Sequence, residues 1–90
     1  ENAVRARTLY MQASAGGLAE ADFRLGRLLS EGLGGPVDLP AAFERYLRAA
    51  RAALPLAQYN VGAMLASGRG VKRDYIEALA WVILASRDSA

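Results

Sequence analysis

Apolar residues along this chain recur at intervals of three and four, and glycines close each run. Ala21, Leu25, Leu28, Leu29 and Gly32 share one stripe of a helix over 18–31, and Ala57, Val61, Met64, Leu65 and Gly68 repeat that stripe. Ala42, Phe43, Tyr46, Leu47, Ala49 and Ala50 form the buried set predicted for a helix over 39–52. Ala78, Leu79, Val82, Ile83 and Ala85 form the equivalent set for a helix over 75–86.

The two stripes are copies. A shift of 36 positions, without gaps, puts Gly26 on Gly62, Leu29 on Leu65, Gly32 on Gly68, Gly34 on Gly70, Asp38 on Asp74 and Ala49 on Ala85. The same shift carried backwards pairs Ala6 with Ala42, Tyr10 with Tyr46 and Ala13 with Ala49. The chain therefore reads as one fragment of a repeat array over 1–90: the second helix of a preceding unit over 1–17, a first full unit over 18–53 and a second over 54–90.

The joints have a physical logic. Gly32 and Gly68 follow the last periodic residue, where a left-handed helix cap is expected. Asp38 and Asp74 then stand as N-caps of the second helices, Pro40 is tolerated in a first turn, and Glu77 makes a capping box with Asp74 plausible. Gly26 and Gly62 lie inside helices, where glycine costs about 1 kcal/mol against alanine. Their shared register predicts that a neighbouring backbone passes too close for a Cβ. Short joints make the helices antiparallel neighbours, and one hairpin buries its apolar face only by stacking on the next. The predicted fold is all-α: a right-handed α-α superhelix of antiparallel hairpins with a concave and a convex side.

The stretch AQYNVGAMLASGRGVKRDYIEALAWVILAS, residues 57–86, resembles the sel-one-like repeat family, a tetratricopeptide-like class of helical repeats. The resemblance rests on Ala57, Val61-Gly62, Met64-Leu65, Gly68-Arg69-Gly70-Val71, Asp74-Tyr75, Ala78, Trp81 and Ala85. The earlier copy is looser: Ala21, Leu25-Gly26, Leu28-Leu29, Gly32-Leu33-Gly34, Asp38, Ala42 and Ala49. It departs where Gly35 and Pro36 replace Val71 and Lys72, which removes an apolar anchor, and where Arg45 takes the place of Trp81. The resemblance implies a protein-interaction scaffold or adaptor without catalysis in the repeats, of the sort found in degradation complexes, bacterial envelope systems and signalling.

Residue chemistry narrows the alternatives. The chain has no Cys and no His, which removes thiol nucleophiles, imidazole bases and nearly every zinc site. Eleven basic and nine acidic residues leave a net charge of +2 without a long basic run. Arg45, Arg48 and Arg51 on one helix face and Lys72-Arg73 in a turn are the nearest candidates for nucleic-acid contact, and none is expected. A phosphate loop would need a preceding strand or a Gly-Lys-Ser/Thr run, and the sequence offers neither. Asp38 and Asp74 stand one repeat apart, so they do not converge as a catalytic pair. Glu20 and Asp22 point to different helix faces, and Glu44 with Arg48 reads as an ordinary surface pair. No enzyme activity, cofactor or metal is expected.

The candidate partner surface is the side of the first helices opposite the buried stripe. In the first unit it comprises Glu20, Arg24, Arg27 and Glu31, and in the second Leu56, Asn60, Ala63 and Ser67. Most aromatics read as core packing between hairpins, Tyr75 and Trp81 among them. Phe23 and Tyr59 are the exceptions, placed to border the concave face and anchor a peptide. The expected partner is a protein or peptide, with no direct membrane insertion. The alternatives are a structural module that self-associates through exposed repeat ends, and a non-catalytic repeat region of a larger enzyme or envelope protein. The chain begins at Glu1 inside a helical pattern, so it reads as a piece of a longer protein, and both cytoplasm and bacterial periplasm remain open as compartments.

Overall fold

A computed structural model describes residues 2–89; Glu1 and Ala90, the outer limits of the units expected at 1–17 and 54–90, lie outside the described residues. Five helices follow one another: α1 (Asn2–Ala15), α2 (Ala19–Glu31), α3 (Leu39–Arg51), α4 (Pro55–Ser67) and α5 (Tyr75–Asp88). No strand occurs among the described residues. Each helix packs chiefly on its neighbours in sequence, and the body is elongated, with extents of 38 × 25 × 17 Å. This is the serial stacking that the repeated stripe predicts. Helix ends fall within two residues of the expected ones: Leu18 is the N-cap of α2 and not its first residue, α3 stops at Arg51, and α5 runs on to Asp88.

The joints are built twice in the same way. Gly32 and Gly68 both adopt φ 72° and cap α2 and α4. In each joint the glycine N–H and the next N–H return to one carbonyl, that of Leu28 in the first and Met64 in the second. The Asp38 and Asp74 N–H groups then donate to Leu29 and Leu65 at 2.9 Å. Both aspartates cap as expected, accepting from Ala41 N–H at 3.1 Å and Glu77 N–H at 3.0 Å. The capping box is only half made. The Glu77 carboxylate does not return to the Asp74 backbone but accepts from Trp81 Nε1–H, one turn on, at 3.4 Å.

Adjacent joints also touch the preceding unit. A Cβ on Gly34 would collide with the backbone of Ala3, and one on Gly70 with the backbone of Leu39, the residue equivalent to Ala3. Each glycine joint thus lies directly on the first turn of the previous second helix. Of the mid-helix glycines, Gly62 meets the expectation and Gly26 does not. A Cβ on Gly62 would lie 3.0 Å from the Ala78 carbonyl oxygen and 2.9 Å from a Val82 methyl, so one backbone does come close there. At Gly26 the close neighbour is the ring of Tyr46 at 3.0 Å, a side chain and not a backbone.

The core is thin and rich in alanine. Ala42, Ala49, Ala57 and Val61 are fully buried, and Phe43, Tyr46, Met64, Leu65 and Ala78 close around them. Two residues of the set expected to be buried on α5 are not: Leu79 is 61% exposed and Ile83 50%. Their counterparts Phe43 and Leu47 lie in the core that α3 shares with α4, whereas among the described residues no further helix packs on the same face of α5. Tyr75 is also no core aromatic. It is 63% exposed, and its hydroxyl accepts from Arg73 at 2.8 Å.

Candidate functional site

The outer face of α2 carries the charged patch anticipated from its spacing, but the patch neutralises itself. Arg24 pairs with Glu20 at 3.1 Å and Arg27 with Glu31 at 3.4 Å, both between positions i and i+4 and both open to solvent. Exposed pairs of this kind stabilise by only about 0.3–0.5 kcal/mol, so either partner is readily exchanged.

Between α2 and α4 runs a groove of about 360 Å³. Phe23, Arg27, Ser30 and Glu31 form one wall, and Asn60, Ala63 and Met64 the other. Tyr46 of α3 lies at its base, and Arg69 of the second joint stands at its edge. The Phe23 and Tyr46 rings meet at 5.7 Å between centroids with a tilt of 56°, within the range of centroid distances favoured by aromatic pairs. Burial raises the Tyr46 phenol above its ordinary pKa of 10.0, so it stays protonated and able to donate. Arg69 makes no ion pair or side-chain hydrogen bond among the described residues.

Half of the anticipated surface comes together here: Phe23, Arg27, Glu31, Asn60 and Ala63 all line this groove. Leu56 and Tyr59 instead line a second, more apolar groove of about 250 Å³ with Pro55 and residues of α5, Val82 among them. Glu20, Arg24 and Ser67 line neither, and Ser67 turns its hydroxyl back to the Ala63 carbonyl at 2.9 Å. The sequence reading missed Ser30, Tyr46, Met64 and Arg69. Tyr46 and Met64 count as core by their period, and only the three-dimensional path shows that they also floor a groove. Arg69 could have been found from its place directly after the cap glycine, where the chain reverses beside α4.

A second polar cluster lies between helices. Asp22 is 4% exposed. It accepts from the Ser14 hydroxyl at 2.6 Å and faces Arg45 at 3.4 Å and Arg48 at 3.6 Å. Arg48 therefore pairs with Asp22 across helices, and not with Glu44 along its own. Two arginines of the candidate basic face, Arg45 and Arg48, are thereby committed to a buried carboxylate. One unit on, Gln58 replaces Asp22; its amide donates to the Ala50 carbonyl at 3.2 Å and to Asp88 at 2.7 Å. Arg7 is equally engaged, donating to the carbonyls of Leu33 at 2.7 Å, Pro36 at 3.1 Å and Leu28 at 3.2 Å. Among the described residues no group of His, Cys, Asp or Glu is arranged to hold a metal ion. Asp38 and Asp74 stand at separate joints, each occupied in capping.

Antiparallel helix pairs, stacked in series and joined by left-handed glycines, define an all-α, right-handed tetratricopeptide-like solenoid. The family model for the Sel1 repeat matches residues 19–54 and 55–89, and the chain belongs to that family. Among solved structures it is similar to a Sel1 repeat protein from Oxalobacter formigenes, with a TM-score of 0.91 and 29% identity over 94% of this chain and 34% of that one. It is also similar to c5321, a protective antigen of uropathogenic Escherichia coli strains displaying an SLR fold, with a TM-score of 0.93 and 30% identity over 97% of this chain and 19% of that one. The chain thus spans about a third and a fifth of the lengths of these two proteins. No curated protein matches it. Sel1 repeats generally serve as non-catalytic scaffolds that mediate protein interactions. Among the described residues no helix is long and apolar enough to cross a membrane.

Proposed function

We propose that this chain is an interaction module without catalysis of its own, which receives a segment of a protein partner in the groove between α2 and α4. The observation that carries the reading is the convergence of Phe23, Arg27, Asn60 and Ala63, from the first helices of two successive units, over the buried Tyr46. An accessible aromatic beside a guanidinium is the composition of a binding anchor. A groove floored by packed helices is also held in shape before any partner arrives, which limits the entropy lost on binding. A photo-cross-linking residue at Ala63, in the groove, should form an adduct with a partner of the full-length protein. The same residue at Arg51, on an exposed part of α3, should not. Equal adducts from both places would refute the groove as the binding surface.

A second reading is favoured by α5. Ile76 is 85% exposed, and with Leu79 and Ile83 it forms an apolar face at helical spacing. We infer that this face pairs with another helix, either of a second copy or of an adjoining repeat. The charge-bearing variant Leu79→Glu with Ile83→Glu should abolish any concentration-dependent dimer in sedimentation. A chain that is monomeric at every concentration before substitution would refute self-association.

A further inference from the structure

We propose that the groove between α2 and α4 selects a partner segment with an aspartate or glutamate beside an aromatic residue, seating the carboxylate between Arg27 and Arg69. This rests on the groove reading above and adds the chemistry of the occupant.

Arg7 is saturated by backbone carbonyls, Arg45 and Arg48 face Asp22, Arg24 faces Glu20 outside the groove, Arg73 is turned to Tyr75, and Arg5, Arg51 and Arg87 do not line the groove. The groove itself holds two guanidiniums and one carboxylate, Glu31. Glu31 engages Arg27 only in an open pair at 3.4 Å, and Arg69 has no partner among the described residues. The groove therefore carries one uncompensated positive charge. Arg27, Arg69 and Glu31 all line the groove that has Tyr46 at its base, so their charges border one space. Guanidinium forks suit carboxylates, and the protonated phenol of Tyr46 and the amide of Asn60 supply further donors.

Beside this polar edge the groove is soft and apolar. The Phe23 and Tyr46 rings and the Met64 thioether offer a surface for an aromatic side chain. A volume of about 360 Å³ is at the small end for ligand sites, so it receives one or two side chains of a longer segment. A basic segment would gain Glu31 but would face Arg27 and Arg69.

The test uses capped hexapeptides whose only ionisable group is the side chain in question. The nitrogen-15-labelled chain is titrated with acetylated, amidated GADFAG, with GAKFAG and with GADAAG, and followed by NMR. GADFAG should shift the amide signals of Asn60 and Ala63 and the side-chain N–H signals of Arg27 and Arg69. GAKFAG and GADAAG should bind at least about fivefold more weakly. Arg69→Glu should weaken GADFAG binding about tenfold, whereas Arg24→Glu, the same charge change outside the groove, should leave it within about twofold. Equal weakening by both variants, or equal binding of GAKFAG, would overturn the carboxylate preference. If GAKFAG shifts the groove signals more strongly, the groove stands and only its preference falls. If GADFAG shifts signals elsewhere, or none, the groove reading falls with it.

Discussion

Asp22 is buried 3.4 Å from the guanidinium of Arg45, and 36 residues later the same two places hold Gln58 and Trp81. The acid and the base are exchanged together. A buried carboxylate is tolerable only with a paired charge and filled hydrogen bonds, which Arg45 and Ser14 supply. Where the arginine is replaced by an aromatic, the carboxylate is replaced by a neutral amide. Asp22→Ala should therefore destabilise the chain by about 2–3 kcal/mol in urea unfolding, at the low end for a broken buried pair because Arg45 keeps some contact with water. Asp22→Gln with Arg45→Trp copies the downstream residues at these two positions, although Ala52 stands where Asp88 accepts from Gln58. This double variant should recover about 1 kcal/mol or more relative to the sum of the two single losses. Strict additivity would show that the two interfaces are not alternative solutions to one packing problem.

That exchange also marks how far the sequence could be read. The five helices, their caps at Asp38 and Asp74, and the left-handed glycines follow from period and spacing, because these are local and repeated. Asp22 was legible only as lying on another face than Glu20, since its partners come from α1 and α3 at separations that no helical period encodes. Leu79 and Ile83 were read as buried by their register, which reports the face a helix offers and not whether anything covers it. The groove between α2 and α4 was half legible for a related reason. The exposed stripe of α2 is a local property, but Arg69 and Tyr46 join it through the stacking of successive units.

The glycines of the joints give a prediction with its own control. Gly34 and Gly70 adopt φ 77° and 76°, and a Cβ on either would strike the backbone of the preceding second helix. Gly17 has φ 90° but open space around it. Gly17→Ala should cost only the left-handed backbone penalty of about 1–2 kcal/mol. Gly34→Ala and Gly70→Ala should each cost at least about 1 kcal/mol more, because the joint must also lift from its neighbour. Thermal unfolding of the three variants measures the difference. Equal losses would mean that the close approach contributes nothing.

Arg7 and Gly35 form a complementary pair that explains the departure noted in the first joint. A Cβ on Gly35 would lie 2.8 Å from the Arg7 guanidinium, which fills the space and binds the joint carbonyls. One unit on, Phe43 replaces Arg7, and Val71 replaces Gly35 and packs against the apolar core. Gly35 has no positive φ, so its substitution is limited by Arg7 and not by backbone strain. Gly35→Ala should cost about 1–2 kcal/mol by displacing the guanidinium from charge-assisted hydrogen bonds. In an Arg7→Ala background the same change should be neutral to within about 0.5 kcal/mol. A double-mutant cycle in urea reads this coupling, and an unchanged cost in both backgrounds would sink the pairing.

Tyr46 gives the chain a dependence on alkaline pH whose sign follows from burial. Desolvation raises the phenol above its ordinary value in the folded state, so the folded chain holds the proton more tightly than the unfolded one. Below the unfolded value of about 10 both states are protonated and this contribution is fully present. As pH rises past it, the unfolded chain releases the proton first, and stability falls until the folded phenol also ionises. Tyr46→Phe removes this contribution and leaves every other titrating group in place. Urea midpoints measured at steps from pH 8 to about 11.5 should therefore fall more steeply in the parent chain than in Tyr46→Phe, with the curves parallel below about pH 9. Parallel curves across the whole range would mean that the phenol ionises alike in the folded and unfolded chains. Tyr46 would then not be the buried, protonated donor at the base of the groove.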